Sequence, residues 1–276
     1  MFMTAKIIDG KKMAAEIEEE VRKNLEKAGV KPFLVFFVVG DDPATQIYVR
    51  EKTRACDRVG ILSEVIHLSH DATERQITEK IKIANSSSAT GIIVQLPLPP
   101  HINEVKVIST ISPQKDVDCM HPENIGKLFY SSDLIPCTVA GILELISAAE
   151  KDISGKKIAV INRRHIGKSL SVILANMKAS VSLCGKNTQL PAYTKDADII
   201  ITAAGSAGLL KREMIKPGAI VIDVGISRKE GKVFGDAEEG IREIASFITL
   251  VPGGVGPTTV AMLMKNTAEM AIKNLK

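Results

Sequence analysis

Lys157-Ile158-Ala159-Val160-Ile161 is followed directly by Asn162-Arg163-Arg164-His165-Ile166-Gly167-Lys168. A short apolar run bounded by polar residues predicts a buried strand, and the polar loop leads into a helix expected near Lys168–Met177. The same order recurs downstream. Ser180–Cys184, Asp198–Thr202 and Ala219–Asp223 read as strands, with helices near Leu190–Lys195 and Lys211–Ile215. Strands separated by helices need crossover connections, and so form a parallel sheet.

The pattern extends upstream. Lys11–Ala28 reads as an amphipathic helix ended by Gly29, and Phe33–Val39 as a buried strand closed by Gly40-Asp41-Asp42-Pro43. Ala44–Val59 is a second helix, stopped by Gly60. Ile61–Leu68 reads as a strand, Thr73–Asn85 as a helix, and Gly91–Leu96 as a strand running into Pro97-Leu98-Pro99-Pro100. Asp116–Pro136 breaks the alternation with Pro, Asp and Gly; Val139–Glu150 and Thr258–Leu275 read as helices. The expectation is an α/β protein of two α/β domains with a cleft between them, the C-terminal one Rossmann-like. Residues 1–138 plus 258–276 make a catalytic domain, and 139–257 a nucleotide-binding domain.

Composition narrows the function. The chain has 276 residues, 45% hydrophobic and 25% charged, which suffices for two cores. A net charge of +4 without a basic block, with three Tyr, seven Phe and no Trp, argues against a nucleic-acid partner. Cys56, Cys119, Cys137 and Cys184 are widely spaced, so they read as isolated reduced thiols and not as a disulfide framework or metal site. Met1–Met13 has no apolar signal segment, and the longest apolar run, Phe33–Val39, is far short of the ~20 residues of a membrane span. A soluble cytoplasmic enzyme without a metal is expected.

The Asn162–Lys168 loop opens a helix, whose N-terminal N–H groups and dipole suit phosphate. The G-x-G-x-x-G fingerprint is absent, and Gly167 alone remains for a close approach. Arg163 and Arg164 lie in the loop and Lys186 follows the next strand. At that place an acid selects NAD, whereas a cation accommodates the 2′-phosphate of NADP. Cys184-Gly185-Lys186-Asn187-Thr188 contains no acid, which favours NADP. The cofactor-binding candidates are Asn162, Arg163, Arg164 and Lys186, with Thr202 and Ile226 at the ends of later strands. The competing reading is a ligand-free turn with solvated cations. Gly225 in Asp223-Val224-Gly225-Ile226, and the glycines of Pro252-Gly253-Gly254-Val255-Gly256-Pro257, would let a flat ring approach the main chain.

Tyr48 and Lys52 are four apart on a predicted helix and so share a face. A phenol beside an amine can relay a proton. A lysine serves as acid or base near neutrality only when its pKa, about 10.4 unperturbed, is lowered. The same spacing also arises by chance on any exposed helix. Gln95 ends an otherwise apolar strand and should point into a site, because an unpaired buried amide is costly. Asp116 and Asp118 lie in an irregular segment, where an acid can meet ligand donors or serve as a turn or cap.

Together these segments resemble the bifunctional methylenetetrahydrofolate dehydrogenase / methenyltetrahydrofolate cyclohydrolases over nearly the whole chain. The resemblance is carried by Val39-Gly40-Asp41-Asp42-Pro43-Ala44, Tyr48-Val49-Arg50-Glu51-Lys52, Gly91–Pro99, and Lys115-Asp116-Val117-Asp118 with His121-Pro122-Glu123-Asn124. Pro136-Cys137-Thr138, Val221–Ile226 and Pro252–Pro257 complete it. It implies NADP-dependent oxidation of 5,10-methylenetetrahydrofolate to the methenyl form, and hydrolysis of that cation to 10-formyltetrahydrofolate. It implies Lys52 as general acid/base, Tyr48 beside the pterin, Gln95 bonded to Lys52, and Asp118 on the amino-pyrimidine edge. Val94, Leu96 and Pro252, Gly253, Gly254, Val255 and Gly256 would shape the folate pocket, in a homodimer assembled through the second domain. The chain departs from the family pattern at Asn162–Ser169, which is one residue shorter and lacks the first glycine and the proline. Gly185-Lys186-Asn187 stands where His-Ser-Arg is usual, and Cys119 where a glycine is usual.

Overall fold

The computed structural model describes residues 4–185, 187–229 and 231–275, with Ala44 described by its backbone alone. The first elements are β1 (Lys6–Ile8), α1 (Gly10–Ala28), β2 (Phe33–Val39), α2 (Pro43–Val59), β3 (Leu62–Leu68), α3 (Glu74–Asn85) and β4 (Gly91–Val94). Two short helices, α4 (Glu104–Ile108) and α5 (Pro122–Lys127), lead to α6 (Cys137–Ala149). Then come β5 (Lys157–Ile161), α7 (His165–Asn176), β6 (Ser180–Cys184), α8 (Pro191–Thr194), β7 (Ile199–Thr202) and β8 (Ile220–Asp223). A hairpin of β9 (Ser227–Lys229) and β10 (Lys232–Phe234), then β11 (Phe247–Thr249) and α9 (Val255–Lys273), complete the chain.

The chain divides into two compact units. One holds Ala15–Lys127, Ser132–Cys137 and the chain from Val260 onward. Its sheet has the order β3-β2-β4 with every pair parallel. Leu34, Phe36 and Phe37 of the central strand are fully buried. Each such side chain contributes roughly 1.5–3 kcal/mol on burial, which makes β2 the anchor of this core. The helices start and stop where local chemistry directs. Asp42 accepts the Thr45 N–H at 2.7 Å ahead of Pro43 at the first turn of α2, and Gly60 ends that helix at φ 83°. Thr73 and Gln76 form a capping box at α3.

Beyond β4 the chain returns alongside it. The Ile92 N–H donates to the Lys115 carbonyl at 2.7 Å, and Ile92 pairs in parallel with Asp116. Gly91 has to be glycine here, since a Cβ would stand 2.4 Å from Val117 Cγ1. The segment carrying Asp116 and Asp118 is thereby laid against the strand that ends at Val94.

The other unit holds the N-terminal stretch through Ala14, Leu128–Ser131 and Thr138–Thr259. Its six-stranded sheet has the order β1-β11-β8-β7-β5-β6, all parallel. Lys6–Ile8, expected within residues 1–138 of the catalytic domain, instead pairs with Phe247–Thr249 at the edge of this sheet. Both strands are three residues long, too short to carry a readable period. The expected helix Lys211–Ile215 is a single 3-10 turn at Arg212–Met214. The expected strand Gly91–Leu96 stops at Val94, because Pro97 has no N–H to continue a ladder. Among the described residues, no helix is long and apolar enough to cross a membrane.

Candidate active site

Lys52 and Gln95, 43 residues apart, meet in the unit that contains the three-stranded sheet. Lys52 lies in the middle of α2, and its Nζ donates to Gln95 Oε1 at 2.9 Å. Gln95 is held from both sides. Its backbone N–H donates to Phe37 O at 2.9 Å, and its side-chain Nε2 to Leu96 O at 2.9 Å. With the amide nitrogen committed to Leu96, the oxygen is turned toward the lysine. Tyr48, one turn earlier on α2, is 37% exposed and so within reach of a ligand.

The two aspartates separate into different roles. Asp116 is buried, and its carboxylate accepts the N–H groups of Met120 and His121 at 3.1 and 2.8 Å and the Asn124 amide at 2.9 Å. It ties down the turn that leads into α5, whose Glu123 N–H donates to His121 Nδ1 at 3.1 Å. Asp118 retains some surface. Desolvation is the largest influence on its carboxyl and raises its pKa, opposed by the positive charge of Lys52 and by hydrogen bonds from the thiol and backbone N–H of Cys137. The Cys137 thiol is buried and pushed well above its usual range, first by desolvation and then by the Asp118 charge. Its thiol donates to Val117 O at 3.5 Å, and a thiol so buried and so hard to ionise is not a nucleophile.

Asn266, which sequence reasoning missed, helps hold this corner, as does Cys119 in the turn after Asp118. Asn266 of α9 donates to Val117 O at 2.9 Å and to Ile135 O at 3.0 Å, and contacts Cys137 Sγ at 3.5 Å. A buried Asn on an apolar helix face is the signal that could have drawn attention to it. Cys119 adopts φ 55° and is fully buried, so the turn after Asp118 keeps the left-handed backbone that favours glycine.

In the unit with the six-stranded sheet, the carboxyl ends of β5 to β8 carry the other candidates. Asn162 ties the loop together. Its Nδ2 donates to Ala203 O at 2.7 Å, while its Oδ1 accepts the N–H groups of Arg164 at 2.8 Å and Gly167 at 3.2 Å. Asn162 thus caps α7 from within the shortened loop. A Cβ on Gly167 would stand 1.6 Å from Asn162 O, so that glycine is obligatory. Arg163 and Arg164 are exposed. Lys186 lies outside the described residues. A cavity of about 450 Å³, lined by Thr188, Leu190, Pro191, Ala192, Leu209 and Met214, opens beside the end of β6.

Thr202 is committed to protein partners. Its hydroxyl donates to Asp236 Oδ2 at 2.8 Å and its carbonyl accepts Val224 N–H at 2.8 Å. Asp236 also accepts the N–H groups of Ala204 and Ser206, each at 2.6 Å. Asp223 accepts those of Gly225, Asp236 and Ala237 at 2.9 to 3.0 Å, and burial pushes its pKa up to about 6. Ile226 is exposed. The glycines divide. A Cβ on Gly225 would strike the Asp236 carboxyl, and Gly254 packs against Gly10 and the Leu250 carbonyl, so both serve internal packing and not the approach of a ring. Gly256 faces open space, Pro252 is exposed, and Val255 is buried in the core. Val94 is buried at the end of β4, with Leu96 half-buried beyond it.

A lysine–amide pair beside a carboxyl in one unit, and a cation-bearing strand–helix turn in the other, match two adjoining families of sequence. Residues 8–118 match "Tetrahydrofolate dehydrogenase/cyclohydrolase, catalytic domain", and residues 136–275 match "Tetrahydrofolate dehydrogenase/cyclohydrolase, NAD(P)-binding domain". The chain belongs to the tetrahydrofolate dehydrogenase/cyclohydrolase family. It is 46% identical to the "Bifunctional protein FolD" of Brevibacillus brevis, covering 99% of this chain and 100% of that one. The crystal structure of the bifunctional FolD of Campylobacter jejuni is similar with a TM-score of 0.95 and 42% identity, over 99% of this chain and 100% of that one. The Trypanosoma brucei methylenetetrahydrofolate dehydrogenase-cyclohydrolase, solved with NADP and an inhibitor, gives a TM-score of 0.95 at 34% identity, over 99% of each chain. As a family member the chain is a two-domain α/β enzyme with a catalytic and an NAD(P)-binding domain.

Proposed function

We propose that this enzyme oxidises 5,10-methylenetetrahydrofolate with NADP+ and hydrolyses the resulting methenyl cation to 10-formyltetrahydrofolate, with Lys52 as the acid/base of the hydrolytic step. The observation that carries this reading is the 2.9 Å hydrogen bond from Lys52 to an oriented Gln95, with Asp118 close enough to feel the lysine's charge. Hydrolysis needs a group that takes a proton from attacking water and later returns it. The Gln95 oxygen fixes where the lysine nitrogen stands during both transfers. Asp118 binds the amino-pyrimidine edge of the pterin. Tyr48 lies beside the ring. Val94 and Leu96 shape the folate pocket at the end of β4; in the other unit Pro252, Gly253 and Gly256 offer a backbone-rich loop to a ligand, with Gly254 and Val255 supporting it from within.

The C-terminal unit fits a phosphorylated dinucleotide. Gly167 lets the turn close, Arg163 and Arg164 supply cations, and the cavity beside Thr188 has room for a planar base. When bound, NADP+ accepts the hydride. Asn162 orders the phosphate-binding turn, Arg163, Arg164 and Lys186 attract the 2′-phosphate, and Thr202 and Ile226 border the nicotinamide side. The unit of Ala15–Lys127, Ser132–Cys137 and the chain from Val260 onward acts as the folate domain, and the unit of the six-stranded sheet, with its N-terminal stretch through Ala14, as the NADP domain. The enzyme acts in the cytoplasm as a homodimer, a reading supported by β6, an edge strand of the six-stranded sheet with one unpaired side.

The test is methenyltetrahydrofolate hydrolysis measured without NADP, and dehydrogenation measured with NADP+ and NAD+ in parallel. Acceleration of hydrolysis above buffer, its loss in Lys52→Met, and preference for NADP+ are expected. Hydrolysis no faster than buffer would reject the bifunctional reading. Both activities unchanged in Lys52→Met would reject the mechanism.

A further inference from the structure

Arg163 leaves the chain just after β5, yet its side chain lies across the end of the neighbouring strand β6. A Cβ built on Gly185 would stand 2.5 Å from Arg163 Cδ and 2.9 Å from its Nε. The arginine therefore occupies the space that any other residue at 185 would fill. We infer that Gly185 is a specificity-determining residue: its missing side chain seats the Arg163 guanidinium at the end of β6, where the 2′-phosphate of the dinucleotide is read. This inference rests on the NADP reading above.

Three observations support it. Gly185 is glycine for space and not for conformation, because its backbone lies outside the left-handed region. Its position is pinned: the N–H donates to Thr188 Oγ1 at 2.9 Å, and the carbonyl accepts the Thr188 N–H at 2.9 Å. The preceding Cys184 is buried and pairs with Ile161 in the sheet. When a side chain is added at 185 the backbone cannot retreat, so the exposed, flexible arginine must yield. Finally, the Arg163 charge is felt at the Cys184 thiol, where it opposes the rise in pKa caused by burial. A guanidinium fixed there offers a planar fork of donors matched to a phosphate. Released from the seat, the same charge moves into solvent and its directed hydrogen bonds are lost.

The experiment compares adenosine 2′,5′-bisphosphate (2′,5′-ADP) with 5′-AMP, two fragments that differ only in the 2′-phosphate, by calorimetric titration of the full-length protein. The wild type is expected to bind 2′,5′-ADP at least about tenfold more tightly, as a charge-assisted phosphate contact requires. Gly185→Ala should bring the two ligands to within about threefold, leave 5′-AMP binding unchanged, and leave the melting temperature unchanged, because only a surface side chain moves. In an Arg163→Ala background, Gly185→Ala should have no further effect. Wild-type discrimination retained in Gly185→Ala, or equal weakening of both ligands, would overturn the inference while leaving the NADP reading intact. A wild type that does not discriminate at all would overturn both.

Discussion

Lys52 Nζ and Gln95 Oε1 stand 2.9 Å apart, joining the middle of α2 to the residue that follows β4. Neither partner is free to choose another geometry, since Gln95 is also bound through its own amide nitrogen to Leu96 O and through its backbone to Phe37 O. The bond therefore carries the precision of the three-stranded sheet into the position of an amine on a helix.

Gln95→Leu keeps the side-chain volume and removes the acceptor. A hydrogen bond to a charged group contributes about 1.5–3 kcal/mol, so methenyl hydrolysis should fall by roughly 10–100-fold. The melting temperature should change little, because the Phe37 contact uses the backbone. Saturating kcat values for hydrolysis, measured beside thermal melts, check this. An unchanged kcat would mean that the amide does not position the lysine.

Asp118 predicts a pH dependence of folate binding. Its pKa lies above the usual carboxylate value because burial disfavours the charge. Binding to the N–H donors of the pterin edge requires the charged form. Affinity should therefore fall as pH is lowered, beginning at a pH above the ordinary Asp value of about 3.9. Asp118→Asn should bind weakly at every pH and lose this dependence. Titrations of a folate analogue across the acid range would show it.

Asp223 predicts a stability trend of defined sign. Its folded pKa of about 6 lies above the ordinary value, so the native state binds a proton that the unfolded chain has released. The resulting stabilisation is complete below about pH 4 and is lost as pH rises through 6. At about 1.4 kcal/mol per pH unit, this is a loss of roughly 3 kcal/mol. In Asp223→Asn the slope between pH 4 and 6 should flatten by that amount. Urea denaturation at several pH values is the measurement, and an identical slope in the variant would assign the effect to other groups.

Asn162→Ala releases the N–H groups of Arg164 and Gly167 and the carbonyl of Ala203 together. The loss of a cap and of a cross-loop bond should cost about 2 kcal/mol and weaken dinucleotide binding. Asn162→Asp restores the two acceptor contacts and should recover part of the stability. Equal behaviour of the two variants in melts would show that the cap contributes nothing.

The order of strands and helices was legible in the chain because its causes are local. Asp42, Pro43 and Gly60 bound α2, apolar runs mark β2, β5 and β8, and Tyr48 and Lys52 share a face through helical spacing alone. Gln95 could be singled out because a polar amide ends an apolar strand. The family followed from the order of these motifs. The division of labour between Asp116 and Asp118 depended on the fold, since both stand in the same four-residue stretch and only their distant partners differ. Asn266 reaches Val117 across 149 residues, Arg163 reaches Gly185 from the adjacent strand, and β1 finds β11 near the far end of the chain. Local propensity and periodicity act over a few residues, so they determine the elements. Which side chains share a space is set by the packing of those elements, and that was decided only by the tertiary structure.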